Sequence, residues 1–127
     1  MFKCIIAGGR DFKHLNLLIE KCDKILYSFG EDVEIVSGAQ VTNDPLWGKH
    51  GADYLGEYYA TSIRHCKLTR FPADWKTHGK SAGPKRNKQM AEYADGLIAF
   101  WDGKSRGTKN MIDLATEHRL KIRVIMY

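Results

Sequence analysis

Phe2-Lys3-Cys4-Ile5-Ile6-Ala7-Gly8-Gly9 is a short, almost continuous apolar run that stops at a glycine pair. A strand buried on both faces reads this way, and such strands belong to parallel sheets. The rest of the chain agrees. From Leu15 the apolar positions Leu15, Leu18, Ile19, Cys22, Ile25, Leu26 and Phe29 keep the three-four spacing of an amphipathic helix, closed by Gly30. Val33–Ser37 reads as a second buried strand ending at Gly38, and Ala52, Leu55, Tyr59, Ile63 and Cys66 mark a second helix. Lys67–Phe71 is a weaker third strand. Pro84 is placed to open a third helix, because the N–H that proline lacks is unused in a first turn. Gly96–Trp101, Thr108–Arg119 and Lys121–Met126 then read as strand, helix and strand, while 39–50 and 72–83 read as irregular surface loops. Alternating strands and helices predict parallel pairing through right-handed crossovers. The expected fold is α/β, a three-layer Rossmann-like sandwich around a mostly parallel five-stranded sheet.

Composition bounds the function. The 127 residues suit one domain, 1–127, and 43% hydrophobic with 28% charged residues is a globular balance rather than a disordered one. No apolar run approaches the roughly 20 residues that cross a bilayer, and the opening run is too short for a signal peptide, so no membrane partner is expected. Cys4, Cys22 and Cys66 are odd in number and lack a CxxC spacing, which predicts reduced thiols in a cytoplasmic protein. The five histidines show no ligand spacing, so neither a metal nor a resident cofactor is expected. The net charge of +5 favours anionic partners, but the basic residues are scattered and no run of five like charges occurs. That pattern is a lysine-rich surface before it is a nucleic-acid face.

The chemistry is carried by turns. In an open parallel sheet, ligands bind beyond the carboxyl ends of the strands, where strand order reverses. Three of those ends are glycine-rich here: Gly8-Gly9, Gly38, and the stretch from Gly103 to Gly107. Glycine lets backbone approach a ligand, and a following helix turns free N–H groups and its positive end toward an anion. Neither GxGxxG nor GxxxxGK[ST] is present, and no HExxH or GxSxG appears. Dinucleotide-fingerprint, P-loop, zinc-protease and serine-hydrolase chemistries are therefore not indicated. Around the turns, Arg10 is a candidate phosphate ligand, and Asp11 either holds a ribose or base or caps the first helix. Asp53 and Glu57 fall one helical turn apart, so both either face the pocket or lie on a solvated helix face. Arg86 stands in the first turn of a helix, where a cation is electrostatically misplaced unless it serves a ligand. Ser105 and Thr108 suit a helix cap or a phosphate, and Trp75 and Trp101 suit core packing before base stacking.

Several motifs carry a family resemblance. Ala-Gly-Gly-Arg-Asp-Phe at 7–12 and Gly-Ala-Asp-x-Leu-Gly-Glu at 51–57 are followed by Phe-Pro-Ala-Asp-Trp from Phe71 and by Ala-Gly-Pro-x-Arg-Asn from Ala82. Met-Ala-x-x-Ala-Asp from Met90 and Phe-Trp-Asp-Gly-x-Ser-x-Gly-Thr from Phe100 complete the set. Together they resemble the YspA-like branch of the SLOG superfamily, which unites DNA-processing protein A with the LOG nucleotide phosphoribohydrolases. The resemblance implies a Rossmann-like fold that binds a nucleotide or nucleotide-derived ligand, with phosphate at a Gly-Thr turn, and it points to a homo-oligomer. Arg86 and Met90 match the LOG spacing of arginine and methionine, and Gly107-Thr108 matches the Gly-Thr pair. The LOG Pro-Gly-Gly start is replaced by Gly103-Lys104-Ser105, and the LOG glutamate falls on Met111. Methionine cannot stabilise a ribosyl cation or activate water, so LOG-type cleavage here would need a carboxylate from Asp11, Asp53 or Asp102.

The leading expectation is thus a binder of a nucleotide-like small molecule, a sensor or nucleotide-signal protein, held by Gly8, Gly9, Arg10, Gly38, Arg86, Asp102, Gly103, Ser105, Gly107 and Thr108. The alternative is a nucleotide N-glycosidic hydrolase or transferase with Asp11, Asp53 or Glu57 as nucleophile or base. Nucleic-acid binding, by analogy with DNA-processing protein A, rests on fold and charge alone.

Overall fold

The computed structural model describes residues 1–127. In chain order the elements are β1 (Phe2–Gly8), α1 (Leu15–Leu26), β2 (Val33–Ser37), β3 (Thr42–Asp44), β4 (Gly48–His50) and α2 (Ala52–Tyr58). β5 (Lys67–Arg70), α3 (Trp75–His78), α4 (Ala82–Tyr93), β6 (Gly96–Trp101), α5 (Arg106–Glu117) and β7 (Lys121–Met126) complete the chain. β1, β2, β5, β6 and β7 form one wholly parallel sheet in the order β5-β2-β1-β6-β7. β1 lies at its centre, with Ile5 opposite Val36 on one side and Leu97 on the other. The chain works outward from β1 to β5, then returns to lay β6 and β7 on the opposite side. Strand order therefore reverses between β1 and β6.

The continuous apolar reading of β1 has a direct cause. Cys4 and Ile6 point into one core with Leu18, Cys22, Ile35 and Leu55, on the face covered by α1 and α2. Ile5 and Ala7 point into a second core with Val36, Met90, Leu97 and Met111, under α4 and α5. Both faces of the strand are dry, so no polar alternation is needed. Cys4, Cys22 and Cys66 are free thiols, and burial pushes the Cys4 thiol up to about 12, which leaves it unreactive. No helix is long and apolar enough to cross a membrane.

Several boundaries differ from the sequence reading, each for a local reason. The 39–50 segment contains an antiparallel hairpin, with Thr42 opposite His50 and Asp44 opposite Gly48. Its turn is made by the Asp44 carboxylate, which accepts the N–H groups of Leu46 at 2.7 Å and Trp47 at 2.9 Å. Strands of three mostly polar residues carry no alternation to detect. The 72–83 segment contains α3, capped by Asp74, whose carboxylate accepts the Thr77 N–H at 3.1 Å, followed by a 3-10 turn over Gly79–Ser81. That turn feeds directly into α4, which begins at Ala82, so Pro84 sits inside the first turn instead of opening it. α1 tightens into a 3-10 turn over Tyr27–Phe29, and α2 widens into a π-helical stretch over Tyr59–Arg64. α5 starts at Arg106 rather than Thr108, because Ser105 is its cap.

Candidate functional site: a cleft at the strand-order reversal

Where β1 and β6 part at their carboxyl ends, the structure leaves a cleft of about 570 Å³. The Gly8–Asp11 turn forms one wall, and the first turns of α4 and α5 form the other. Gln40, Asp53 and Trp75 close the sides, and Met90 and Met111 form part of the floor. Each wall is fixed by its own hydrogen bonds.

At α5, Asp102 accepts the N–H groups of Lys104 and Ser105, both at 2.8 Å, and these donors hold its carboxyl below the usual range. Ser105 Oγ accepts the Thr108 N–H at 3.4 Å and pairs with Thr108 Oγ1 at 3.1 Å, while Trp101 Nε1 donates to the Ser105 carbonyl at 3.1 Å. The loop is thus pinned by its own side chains. The N–H groups of Arg106 and Gly107 are left without protein acceptors at the positive end of the helix. Gly107 faces open space: a methyl added there would meet nothing within 4 Å.

At α4, Arg86 is nine-tenths buried. Its Nη1 donates to the Gly38 carbonyl and its Nε to Asn87 Oδ1 at 2.9 Å, which leaves Nη2 without a protein acceptor. Asn87 Nδ2 donates to Asn110 Oδ1 at 2.9 Å and to the Gly107 carbonyl at 3.4 Å, tying α4 to α5. Burial lowers the affinity of Arg86 for its proton, and nearby Asp53 partly restores it.

Asp53 enters from the first turn of α2, with 9% of its surface exposed. Its Oδ2 accepts the Gln40 N–H at 3.1 Å, and Oδ1 has no protein donor. Burial pushes this carboxyl up to about 6, against the opposing pull of Arg86, the Gln40 N–H and Arg10. The guanidinium and the carboxylate form no direct ion pair, because Gly38 stands between them. A methyl at Gly38 would lie 2.7 Å from Arg86 Nη1 and 2.8 Å from Asp53 Oδ2. The next residue, Ala39, takes up a left-handed φ of 59°, an arrangement that costs an L-residue about 1 kcal/mol and aims the Gln40 N–H at the carboxylate.

The glycine pair at the end of β1 is closely packed. A methyl on Gly8 would lie inside contact distance of the Phe100 carbonyl oxygen and 2.8 Å from Ala52 Cβ. A methyl on Gly9 would run into Tyr127 Oη and lie 2.7 Å from Asp11 Oδ1. Tyr127 Oη donates to Asp11 Oδ1 at 2.7 Å, and its ring meets Phe12 edge-on with centroids 4.8 Å apart. Asp11 is therefore held by β7's exit residue. The α1 cap position is His14, with no side-chain bond, so Asp11 does not cap that helix.

Residues 2–78 match the YspA, cpYpsA-related SLOG family. The chain belongs to this family. Its SLOG match takes in β1, Asp11, Gln40, Asp53 and Trp75, while the α4 and α5 walls lie beyond it. The chain is also 30% identical over 115 residues to the Gene 61 protein of Mycobacterium phage D29, covering 87% of this chain and 85% of that relative. Among solved structures, the C-terminal domain (residues 78–226) of PF1911 hydrogenase from Pyrococcus furiosus superposes with a TM-score of 0.50. That superposition covers 98% of this chain and 92% of the domain at 14% identity, a likeness of fold alone.

Within this SLOG chain, the cleft gathers Gly8, Gly9, Arg10, Asp11, Asp53, Arg86, Asp102, Ser105, Gly107 and Thr108. Three expected residues lie outside its lining. Gly38 is covered by Arg86, whose Nη1 its carbonyl accepts, and Gly103 lies toward Met126 with a left-handed φ of 82°. Glu57 does not face the cleft beside Asp53: it accepts Ser37 Oγ at 2.7 Å and Arg70 Nε at 2.8 Å. Those partners at the ends of β2 and β5 draw it aside. Trp75 is not a core residue, with 43% of its surface exposed and its ring lining the cleft. Gln40, Asn87, Asn110 and Arg106 line it too, and the sequence reading does not single them out. Asn87 directly follows Arg86 in the Ala-Gly-Pro-x-Arg-Asn motif, so the motif held a signal for it. Met111, at the place of the LOG glutamate, is buried in the floor at 1% exposure.

Proposed function

We propose that this protein binds a nucleotide or nucleotide-derived anion in the β1–β6 cleft, as a sensor or nucleotide-signal binder. One observation carries the reading. At the strand-order reversal, Arg106 and Gly107 with free N–H groups, Arg86 with a free Nη2 and Asp53 with an unpaired oxygen all line one cleft. Two kinds of donor beside one buried acceptor suit a phosphate attached to a hydroxyl-bearing sugar. Membership of the SLOG family supports a nucleotide-related ligand.

The test is thermal unfolding against a panel of mononucleotides, cyclic nucleotides, NAD and ADP-ribose. At least one ligand is expected to raise the midpoint, with about 2.7 kcal/mol of stabilisation at a hundredfold excess over Kd. Arg86→Met, compared with its own ligand-free midpoint, should lose most of that rise. Failure of the whole panel, together with salt-sensitive binding to single-stranded DNA, would replace the reading with a nucleic-acid one.

The geometry of Asp53 favours a second reading, hydrolysis or transfer at the base–ribose bond. A carboxyl near pH 6 with a free oxygen is suited to exchange a proton at neutral pH. Chromatography of each stabilising ligand separates the two readings: free base supports the enzyme, and intact ligand supports the binder.

A further inference from the structure

We propose that Trp75 and Arg10 form a stacking clamp that grips the planar base of the ligand, making the cleft selective for nucleotides over sugar phosphates. This rests on the nucleotide reading and goes beyond it by assigning the base subsite. Large indoles are normally well buried, and an indole left 43% exposed on the wall of a concave site is unusual. Trp75 is nonetheless well supported. It opens the single turn α3, which is capped by Asp74, and the edge of its six-membered ring packs against Gly83. A methyl at Gly83 would come within 3.3 Å of that ring, so the bare backbone at the start of α4 forms its seat.

From the opposite wall the Arg10 guanidinium lies over the same ring, 5.6 Å from its centroid. The Arg10 backbone is fixed, since its carbonyl accepts Thr42 Oγ1 at 2.9 Å, whereas the side chain is exposed and free to swing. A base stacked between two planar groups needs about 7 Å, twice a van der Waals contact of about 3.5 Å. Arg10 then has to lift by only about 1–2 Å from where it rests, a rotamer-scale movement. Guanidinium and indole are both established stacking partners for bases. The other two indoles are engaged or elsewhere. Trp101 donates to the Ser105 carbonyl, and Trp47 projects from the β3–β4 hairpin, 65% exposed and away from the cleft.

The experiment is calorimetric titration of AMP, GMP, CMP, UMP and ribose 5-phosphate into the wild type, Trp75→Leu and Trp75→Phe. The clamp predicts that at least one nucleotide binds the wild type about tenfold or more tighter than ribose 5-phosphate. Trp75→Leu should remove most of that advantage and leave ribose 5-phosphate unchanged, and Trp75→Phe should keep much of it. The clamp is overturned if no nucleotide outbinds ribose 5-phosphate, or if the advantage survives in Trp75→Leu. If ribose 5-phosphate and every nucleotide fail to bind, the clamp is overturned, while the nucleotide reading is decided separately by the cyclic-nucleotide, NAD and ADP-ribose arms of the thermal panel.

Discussion

Gly8→Ala will cost at least about 3 kcal/mol of folding stability, whereas Gly107→Ala, on the same edge of the same sheet, will change it by under about 1 kcal/mol. At Gly8 the added methyl meets the Phe100 carbonyl oxygen and Ala52 Cβ. Neither can rotate away. The carbonyl belongs to the backbone of β6 and accepts the Gly9 N–H at 3.2 Å, and Ala52 starts α2. Relief requires β1 and β6 to part or α2 to lift, at the centre of the sheet. At Gly107 the methyl enters open space, and alanine is the better helix former by about 1 kcal/mol. Urea unfolding of the two variants measures the contrast directly. Comparable stability losses would mean that Gly8 is not held by packing.

Asp53→Asn has the second large effect, and its size depends on pH. Burial raises the folded carboxyl from an ordinary 3.8 to about 6, so its ionised form is disfavoured in the folded protein. With the folded value above the unfolded one, the wild type has its full stability from this group below pH 3.8 and loses it as pH rises through about 6. The loss amounts to about 3 kcal/mol at pH 8. Asparagine has no charge to bury, and its side-chain oxygen can still accept the Gln40 N–H. The variant should therefore be more stable than the wild type at pH 8 by an amount approaching that figure, and the two should converge near pH 4. Stability curves across this range check it; a pH-independent difference would contradict the burial of an ionising Asp53. If the cleft turns over its ligand through this carboxylate, the same variant will be more stable and inactive, as happens when a site is kept at the expense of the fold.

The frame of the molecule was legible because its signals are local and repeated. β1 reads as buried since residues 4 and 6 and residues 5 and 7 enter two different cores, and α1 reads as amphipathic since it meets only one. The hairpin leaves no such signal because its strands are polar and pair only with each other. The site was legible in outline, through turn glycines and charges at strand ends, but not in role. Gly8 and Gly107 are the same letter, yet one is crowded by backbone and the other opens onto the cleft. Asp53 and Glu57 share a helical stripe, and only the positions of Ser37 and Arg70 separate their fates. The seat of Trp75 depends on Gly83 in the next helix, a relation that spacing along the chain does not encode.

The central claim, an anionic nucleotide-like ligand with its phosphate on the free N–H groups of α5, is tested most directly by amide chemical-shift mapping of a ¹⁵N-labelled sample titrated with AMP. The largest saturable shifts are expected at Arg106 and Gly107, with smaller ones along the Gly8–Asp11 turn. Saturable binding that leaves the Arg106 and Gly107 amides unmoved would contradict it.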